Sequence, residues 1–458
     1  MTTWKSTDEL WSALGGMVEA ADDGIRVADA GRLRESGVDA LIWNAVFADA
    51  EAVRDTARWA IRAAARALGI ESASIYPLYA AMGRKECGGF TVPAMNIRGL
   101  TYDTTRAALR AALRNDVGAL IFEIAKSEIG YTEQRPAEYT AAVLAAAIKE
   151  GWKGPMFIQG DHFQMNVKKF QEDPAKETKV IADLIREAIP GGFLNIDIDS
   201  STLVDLSRPN VREQQRDNFE VCAALTRVVR ENEPAGVTIA IGGEIGEVGK
   251  KNSTEEELRE YLNGYLEIIG KNTIGVDKVS IQTGTSHGGV PLPDGTVAEV
   301  KIDFDTLGRL SRVCVEEYGI AGAVQHGAST LPDEAFHHFP ERGCCEVHLA
   351  TGFQNMIYDG GHLPEELIRD VHAHLHEACA GEKKEGQTEE QFIYKTRKKA
   401  LGPFKKQMWS LPAETRNAIA ADLEAKFEFL YKQLGVPKTR ELVDKHVKPV
   451  AVPLPKPD

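Results

Sequence analysis

The chain has 458 residues, 43% hydrophobic and 27% charged, an ordinary composition for a globular protein able to bury a large core. A formal net charge of −14 argues against nucleic acid or an acidic membrane surface as a partner. No apolar run approaches the ~18 residues of a membrane span, Met1-Thr-Thr-Trp-Lys-Ser lacks the pattern of a secretory signal, and the six cysteines include no CxxC pair, so a cytoplasmic protein with reduced thiols is expected.

Residues 1–86 read as an N-terminal helical extension. Ser6-Thr-Asp-Glu9 is a capping box, and Ala50 to Leu68 consists of strong helix formers. Asp39-Ala-Leu-Ile-Trp43 fits a strand or the start of a buried helix equally well. From about residue 88 short apolar runs alternate with helical patterns. Strands are expected at Phe90–Asn96, Gly118–Ile124, Pro155–Gly160, Phe193–Asp199, Val237–Ile241, Lys278–Gln282, Ala321–Gln325 and Cys345–Ala350. The intervening helices include Asp103–Arg114, Ala137–Glu150, Ala175–Ala188, Val211–Glu231, a capped helix from Ser253 to about Ile269, Phe304–Tyr318 and a short one at Pro332–His338. Such alternation implies a parallel sheet. Eight units over residues 87–380 predict an α/β fold, a (β/α)8 TIM barrel, with an open doubly wound sheet as the alternative. Residues 381–458 form a C-terminal helical extension with a Pro-rich tail that either docks or stays extended. Its helix Leu411–Leu434 carries an apolar stripe of Ile419, Leu423, Phe427 and Leu430. That stripe and the N-terminal section suggest a homo-oligomer. No GxGxxG or GxxxxGK[ST] motif is present.

Chemistry concentrates at the carboxyl ends of the strands, where barrel sites are assembled. Pro155-Met-Phe-Ile-Gln-Gly-Asp-His162 ends in an acid and an imidazole. Gly243-Glu244, Thr285-Ser-His287-Gly288 and Gln325-His326-Gly-Ala-Ser329 repeat the layout, each with a metal-capable side chain. Imidazole nitrogen and carboxylate oxygen are zinc donors, so His162, Glu244, His287 and His326 predict a divalent metal site, with zinc the expected ion. His372, His374 and His376 on one helix, and the pair His337-His338, read as solvated or loop residues.

Taken in order, Val92-Pro-Ala-Met-Asn96, Gly160-Asp161-His162, Asp199-Ser-Ser201, Gly243-Glu-Ile-Gly246, Gly284-Thr-Ser-His-Gly288 and His326-Gly-Ala-Ser329 resemble the class II, zinc-dependent fructose-bisphosphate aldolases over roughly residues 88–435. The resemblance implies reversible aldol cleavage of a ketose phosphate or related sugar through a zinc-stabilised enediolate, as in glycolysis and carbohydrate metabolism. By the same resemblance, His162, His287 and His326 are the catalytic zinc ligands, Glu244 an alternative metal position, Asp199 a holder of metal or substrate, and Asp161 the catalytic acid. Asn96, Gly288, Gly327, Ser329 and Thr351 become substrate contacts, and a monovalent cation (Na+ or K+) near the glycines is implied too.

The chain also departs from that family. Where the family has Asn-x-Asp-Thr on the eighth strand, this sequence has His348-Leu-Ala-Thr351. Where the family has Asp-Pro-Arg near the C-terminus, it has Gly402-Pro-Phe404. Gly249-Lys-Lys-Asn replaces an acidic pair, leaving Glu247 or Glu255 as candidate bases. The expectation is therefore a retained metal core with a different substrate. An aldolase or retro-aldol epimerase acting on a sugar other than a bisphosphate, or a non-catalytic aldolase-like subunit, is the alternative.

Overall fold

The computed structural model describes residues 1–21, 24–246, 251–284, 292 and 302–457. Eight parallel strands form its centre: β1 (Val92–Asn96), β2 (Ile121–Ala125), β3 (Gly154–Gln164), β4 (Asn195–Asp199), β5 (Ala240–Glu244), β6 (Lys278–Ile281), β7 (Ala323–Gln325) and β8 (Glu346–Leu349). Each pairs with the next, and β8 pairs with β1 from Glu346 opposite Val92 to Leu349 opposite Met95. The sheet is closed, so the fold is a (β/α)8 barrel and the open-sheet alternative is excluded. Every residue of β1, β2, β4 and β5 is buried. One face of each strand fills the barrel and helices cover the other, which is why these strands read as apolar runs without alternation.

The N-terminal section is helical and wraps one side of the barrel, with Val38–Phe47 and Glu51–Ala67 packed on Pro136–Glu150. Asp39–Trp43 thus belongs to a helix. Two further elements lie here, an antiparallel hairpin of Val18–Ala21 with Gly24–Val27 and a strand at Ile70–Ala73. That strand runs parallel to the first half of β3, Ile70 opposite Gly154 and Ala73 opposite Phe157, and extends the sheet outside the barrel. The expected helix at Pro332–His338 is instead a 3₁₀ turn at Asp333–Ala335 and a single turn at His338–Glu341.

Helix Ala413–Gln433 buries Ile419, Leu423, Phe427 and Leu430 against the barrel helix Thr101–Arg114. The apolar stripe has its partner within the chain, so it no longer argues for a second copy. The Pro-rich tail docks: Trp59 Nε1 donates to the Leu454 carbonyl at 3.1 Å and Arg66 to that of Val452 at 2.6 Å. No helix among the described residues is long and apolar enough to cross a membrane.

Candidate active site

The second half of β3 sets the site. Gln159 and Gly160 pair with Asn195 and Ile196 of β4, but the next pair is Phe163 with Ile198, so Asp161 and His162 together stand opposite Asp197. This is a β-bulge, which re-aims side chains beside active sites. It brings two consecutive residues to one cavity where a regular strand would send them to opposite faces. His162 takes φ +40°, a left-handed conformation that costs a side-chain-bearing residue about 1–3 kcal/mol. Gly160 makes room for the bulge, since a Cβ there would lie 2.5 Å from the Phe163 ring.

Around the bulge three imidazoles form a row. The ring centroids of His162 and His326 are 4.2 Å apart, and those of His326 and His348 are 4.0 Å apart. Nδ1 of His162 lies 3.0 Å from Asp199 Oδ2 and 3.4 Å from Glu244 Oε2, and its Nε2 lies 3.7 Å from Asp161 Oδ1. Asp199 also accepts from Ser201 and Gln164, so it sits behind His162 and fixes the ring. His326 Nε2 is 2.8 Å from Ser280 Oγ. His348 Nε2 contacts Glu346 at 2.6 Å, and its Nδ1 lies 3.0 Å from Glu123 and 3.2 Å from Asp161.

Carboxylates crowd this centre. Burial, then the charges of Asp161 and Glu346, push Glu123 up to about 8. Burial and then Asp199 push Glu244 up to about 7. Burial opposes charge on His162 as well, but Asp161, Glu244 and Asp199 outweigh it, so its pKa lies well above the usual histidine range. His348 is raised likewise, chiefly by Glu123 and Asp161 against burial. Burial would raise Asp161, yet His162 and His348 hold its carboxyl below the usual range. Beneath the row, Lys278 bridges Glu346 and Asp197, the latter at 3.0 Å, and donates to Gln159 at 2.9 Å.

A family profile described as fructose-bisphosphate aldolase class-II matches residues 80–429. The chain belongs to the class-II fructose-bisphosphate aldolase family. Among solved structures, it is similar to the fructuronate-tagaturonate epimerase UxaE from Cohnella laeviribosi, at 13% identity over 93% of this chain and 90% of that one, with a TM-score of 0.56. It is also similar to a protein named as a probable tagatose 6 phosphate kinase from Sinorhizobium meliloti 1021, at 16% identity over 80% and 96%, with a TM-score of 0.52. At such identities the likeness is one of fold.

In this member of the family a cavity of about 590 Å³ opens over the row of rings. Its lining includes Asn96, Asp161, His162, His326, Gly327, Ser329 and Thr351. Seven residues expected from the sequence thus meet in one space. Glu244 reaches the same centre from β5 through His162, and Asp199 stands behind that ring. His287, Gly288 and Glu247 lie outside the described residues. Glu255 heads helix Glu255–Ile269, where it pairs with Arg259 at 2.9 Å, and it does not line the cavity. The sequence reading missed Arg98, Glu128, Tyr394 and Lys398, and left His348 undecided. Arg98 could have been found, because it follows β1 by two residues at the active rim. Lys398 lies in the basic run Arg397-Lys-Lys399, which carries no local sign of facing the barrel.

The donor set fits a divalent cation. Ligand atoms of His162, Glu244 and His326 all lie within 4.8 Å of one another, as do those of Asp161, His326 and His348. The buried carboxylates of Glu123, Asp161, Asp197, Asp199, Glu244 and Glu346 outnumber the cations beside them, Lys278, His162 and His348, and such an ion would offset that excess; Asp161 Oδ1 and Glu123 Oε1 share the single Nδ1 of His348.

Proposed function

We propose that the protein is a metal-dependent enzyme of retro-aldol chemistry, cleaving or re-forming a carbon–carbon bond in a ketose, with a divalent ion, zinc by preference, held by His162, Glu244 and His326. The supporting observation is the convergence of these donors with an ionised Asp161 at the floor of one cavity. Such an ion, when bound, polarises a ketone and its neighbouring hydroxyl as a Lewis acid. The chain's own residues do the rest. Asp161, kept as a carboxylate by His162 and His348, accepts the proton of the hydroxyl on the carbinol carbon, as a positioned general base does. The bond between that carbon and the carbon next to the ketone then breaks, leaving its electron pair on the ketone fragment and an aldehyde on the other. In the reverse direction Asp161 returns the proton to the aldehyde oxygen. Asn96 donates to Asp161 Oδ2 at 2.8 Å and to Glu128 at 2.9 Å, which fixes the carboxylate. Asp199 orients His162, as carboxylates behind ligating imidazoles commonly do.

A second reading follows from the same steps. If the aldehyde turns before the bond re-forms, the carbinol carbon is inverted and the enzyme is an epimerase. The loss of the family's Asn and Asp on β8 supports it, as does the epimerase among the fold relatives, whose likeness covers 93% of this chain.

The test is elemental analysis of purified protein combined with a ketose panel, scored for free aldehyde and for the carbinol epimer. A stoichiometric divalent ion, with turnover lost on chelation, is expected. A protein that binds no ion, or that turns over ketoses equally well after chelation, sinks the reading.

A further inference from the structure

We propose that Asn218, buried on the helix that joins β4 to β5, is a positioning residue: it ties the parted ends of those two strands together and so holds Glu244 within reach of the metal. The proposal rests on the metal site of the retro-aldol reading and adds a residue that belongs neither to the donor set nor to the cavity lining.

The seam between β4 and β5 is open at the rim. On either side of it the strand pairing reaches the active end: Gln164 pairs with Asp199 between β3 and β4, and Glu244 pairs with Ser280 between β5 and β6. The β4–β5 ladder has its last pair at Asp197 and Gly242, two residues short of Asp199 and Glu244. Those two carboxylates nevertheless meet. Both face Nδ1 of His162, Asp199 at 3.0 Å and Glu244 at 3.4 Å. Like charges so placed repel, and beyond Asp197 and Gly242 no strand pairing opposes their separation.

Asn218 closes this seam from helix Val211–Asn232. Its Nδ2 donates to the Glu244 carbonyl at 2.8 Å and to Gln215 Oε1 at 2.9 Å. Ser200, which follows Asp199, donates its hydroxyl to Asn218 Oδ1 at 2.7 Å, with the Asn218 carbonyl at 2.9 Å sharing it. Asn218, Ser200 and Gln215 are all buried, and the amide spends both its N–H groups and its oxygen. Asparagine is a weak helix former, so its place inside this helix is not one of backbone preference. Its amide is matched to an acceptor at the end of β5 and a donor at the end of β4. A leucine of the same size would make neither bond, and an aspartate could not donate to the Glu244 carbonyl. The bulge directs His162, and Ser280 braces His326 at 2.8 Å. Asn218 does the corresponding work for Glu244, the carboxylate of that donor set.

The test is the zinc affinity of the metal-stripped protein, measured by competition with a chromophoric chelator. Asn218→Leu should raise the zinc Kd by about 10- to 100-fold, the range for residues that orient metal ligands. Ser200→Ala leaves the helix intact and should raise it in the same direction. In a Glu244→Gln background Asn218→Leu should add no further loss, because residues that act through one group are not additive. Val229→Ala serves as control: Val229 is buried on the same helix, about three turns further on. It should lower the urea midpoint and leave the zinc Kd at the wild-type value. Wild-type zinc affinity in Asn218→Leu overturns the proposal, as does a fully additive loss with Glu244→Gln. An equal loss in Val229→Ala overturns it too, since the effect would then be one of general stability. Should Asn218→Leu fail to fold, Ser200→Ala and its additivity with Glu244→Gln decide in its place. The metal reading survives each of these results, whereas wild-type protein that binds no zinc removes both.

Discussion

At the residue scale the proposed proton transfer rests on Asp161. Its carboxyl has Asn96 on one oxygen and imidazoles of His162 and His348 beside the other, so in the proposed mechanism it begins cleavage as a base. Asp161→Asn removes the proton acceptor and keeps the shape. It should lower kcat by a factor of about 10² to 10⁴ while metal content, read by elemental analysis, stays at the wild-type level. If turnover is unaffected, the proton is taken by another group. His348 occupies the position of the family's strand-eight asparagine in the resemblance. Held by Glu346, Glu123 and Asp161, it is a cation in a nest of acids. His348→Asn should therefore raise the pKa of Asp161 and shift the acid limb of the kcat/KM profile upward. An unmoved acid limb would show that His348 does not control that carboxylate.

At the scale of elements, the strands are fitted to the polar side chains they enclose. Gly242 on β5 lies between Asp197 of β4 and Lys278 of β6, its register partners on the flanking strands. A Cβ there would overlap Asp197 Oδ1 and lie 2.9 Å from Lys278 Cε. Both neighbours are buried and held in ion pairs, so neither can give way. Gly242→Ala should cost about 1–3 kcal/mol of stability, as overpacking does, read as a lower urea midpoint with unchanged slope. Equal stability would mean that the barrel floor is looser than its geometry indicates. The bulge in β3 belongs to this scale too: one extra residue in one strand sets the direction of both Asp161 and His162.

The whole molecule closes around a charged interior. Lys278 lies at its centre, bound to Glu346, Asp197 and Gln159. Lys278→Met leaves those acids without their cation and should cost about 3–5 kcal/mol by chemical denaturation. Glu346→Gln in the same chain should recover part of that loss, and no recovery would mean the two groups are not coupled. Asp277, at the foot of β6, receives the Ile241 N–H at 3.0 Å, and burial pushes its pKa up from 3.8 to about 8. Between those values the folded chain keeps a proton that the unfolded chain releases, so this group lowers stability as pH rises from about 4 to about 8. Asp277→Asn removes that dependence. The variant's Tm should gain on the wild type from about pH 4 to about pH 8 and hold that gain above it, and a constant difference across that range would refute the assignment.

The sequence by itself determined the barrel and most of the rim. Apolar runs punctuated by glycine and ended by Asp161-His162, Glu244 or His326 are local patterns, and a strand covered on both faces leaves such a pattern whatever surrounds it. Helix caps were legible for the same reason, though the one expected at Ser253 sits one residue on, with Thr254 and Glu257 bonded reciprocally. Tertiary structure alone decided the rest. The bulge arises from a mismatch of register between β3 and β4. His348 becomes the third ring only because β8 closes against β1. Arg98 and Lys398 share a cavity wall although they lie at opposite ends of the barrel sequence, and the stripe on Ala413–Gln433 is covered by Thr101–Arg114. Contacts of this kind join residues far apart in the chain, and neither partner's neighbours carry any periodic trace of the other.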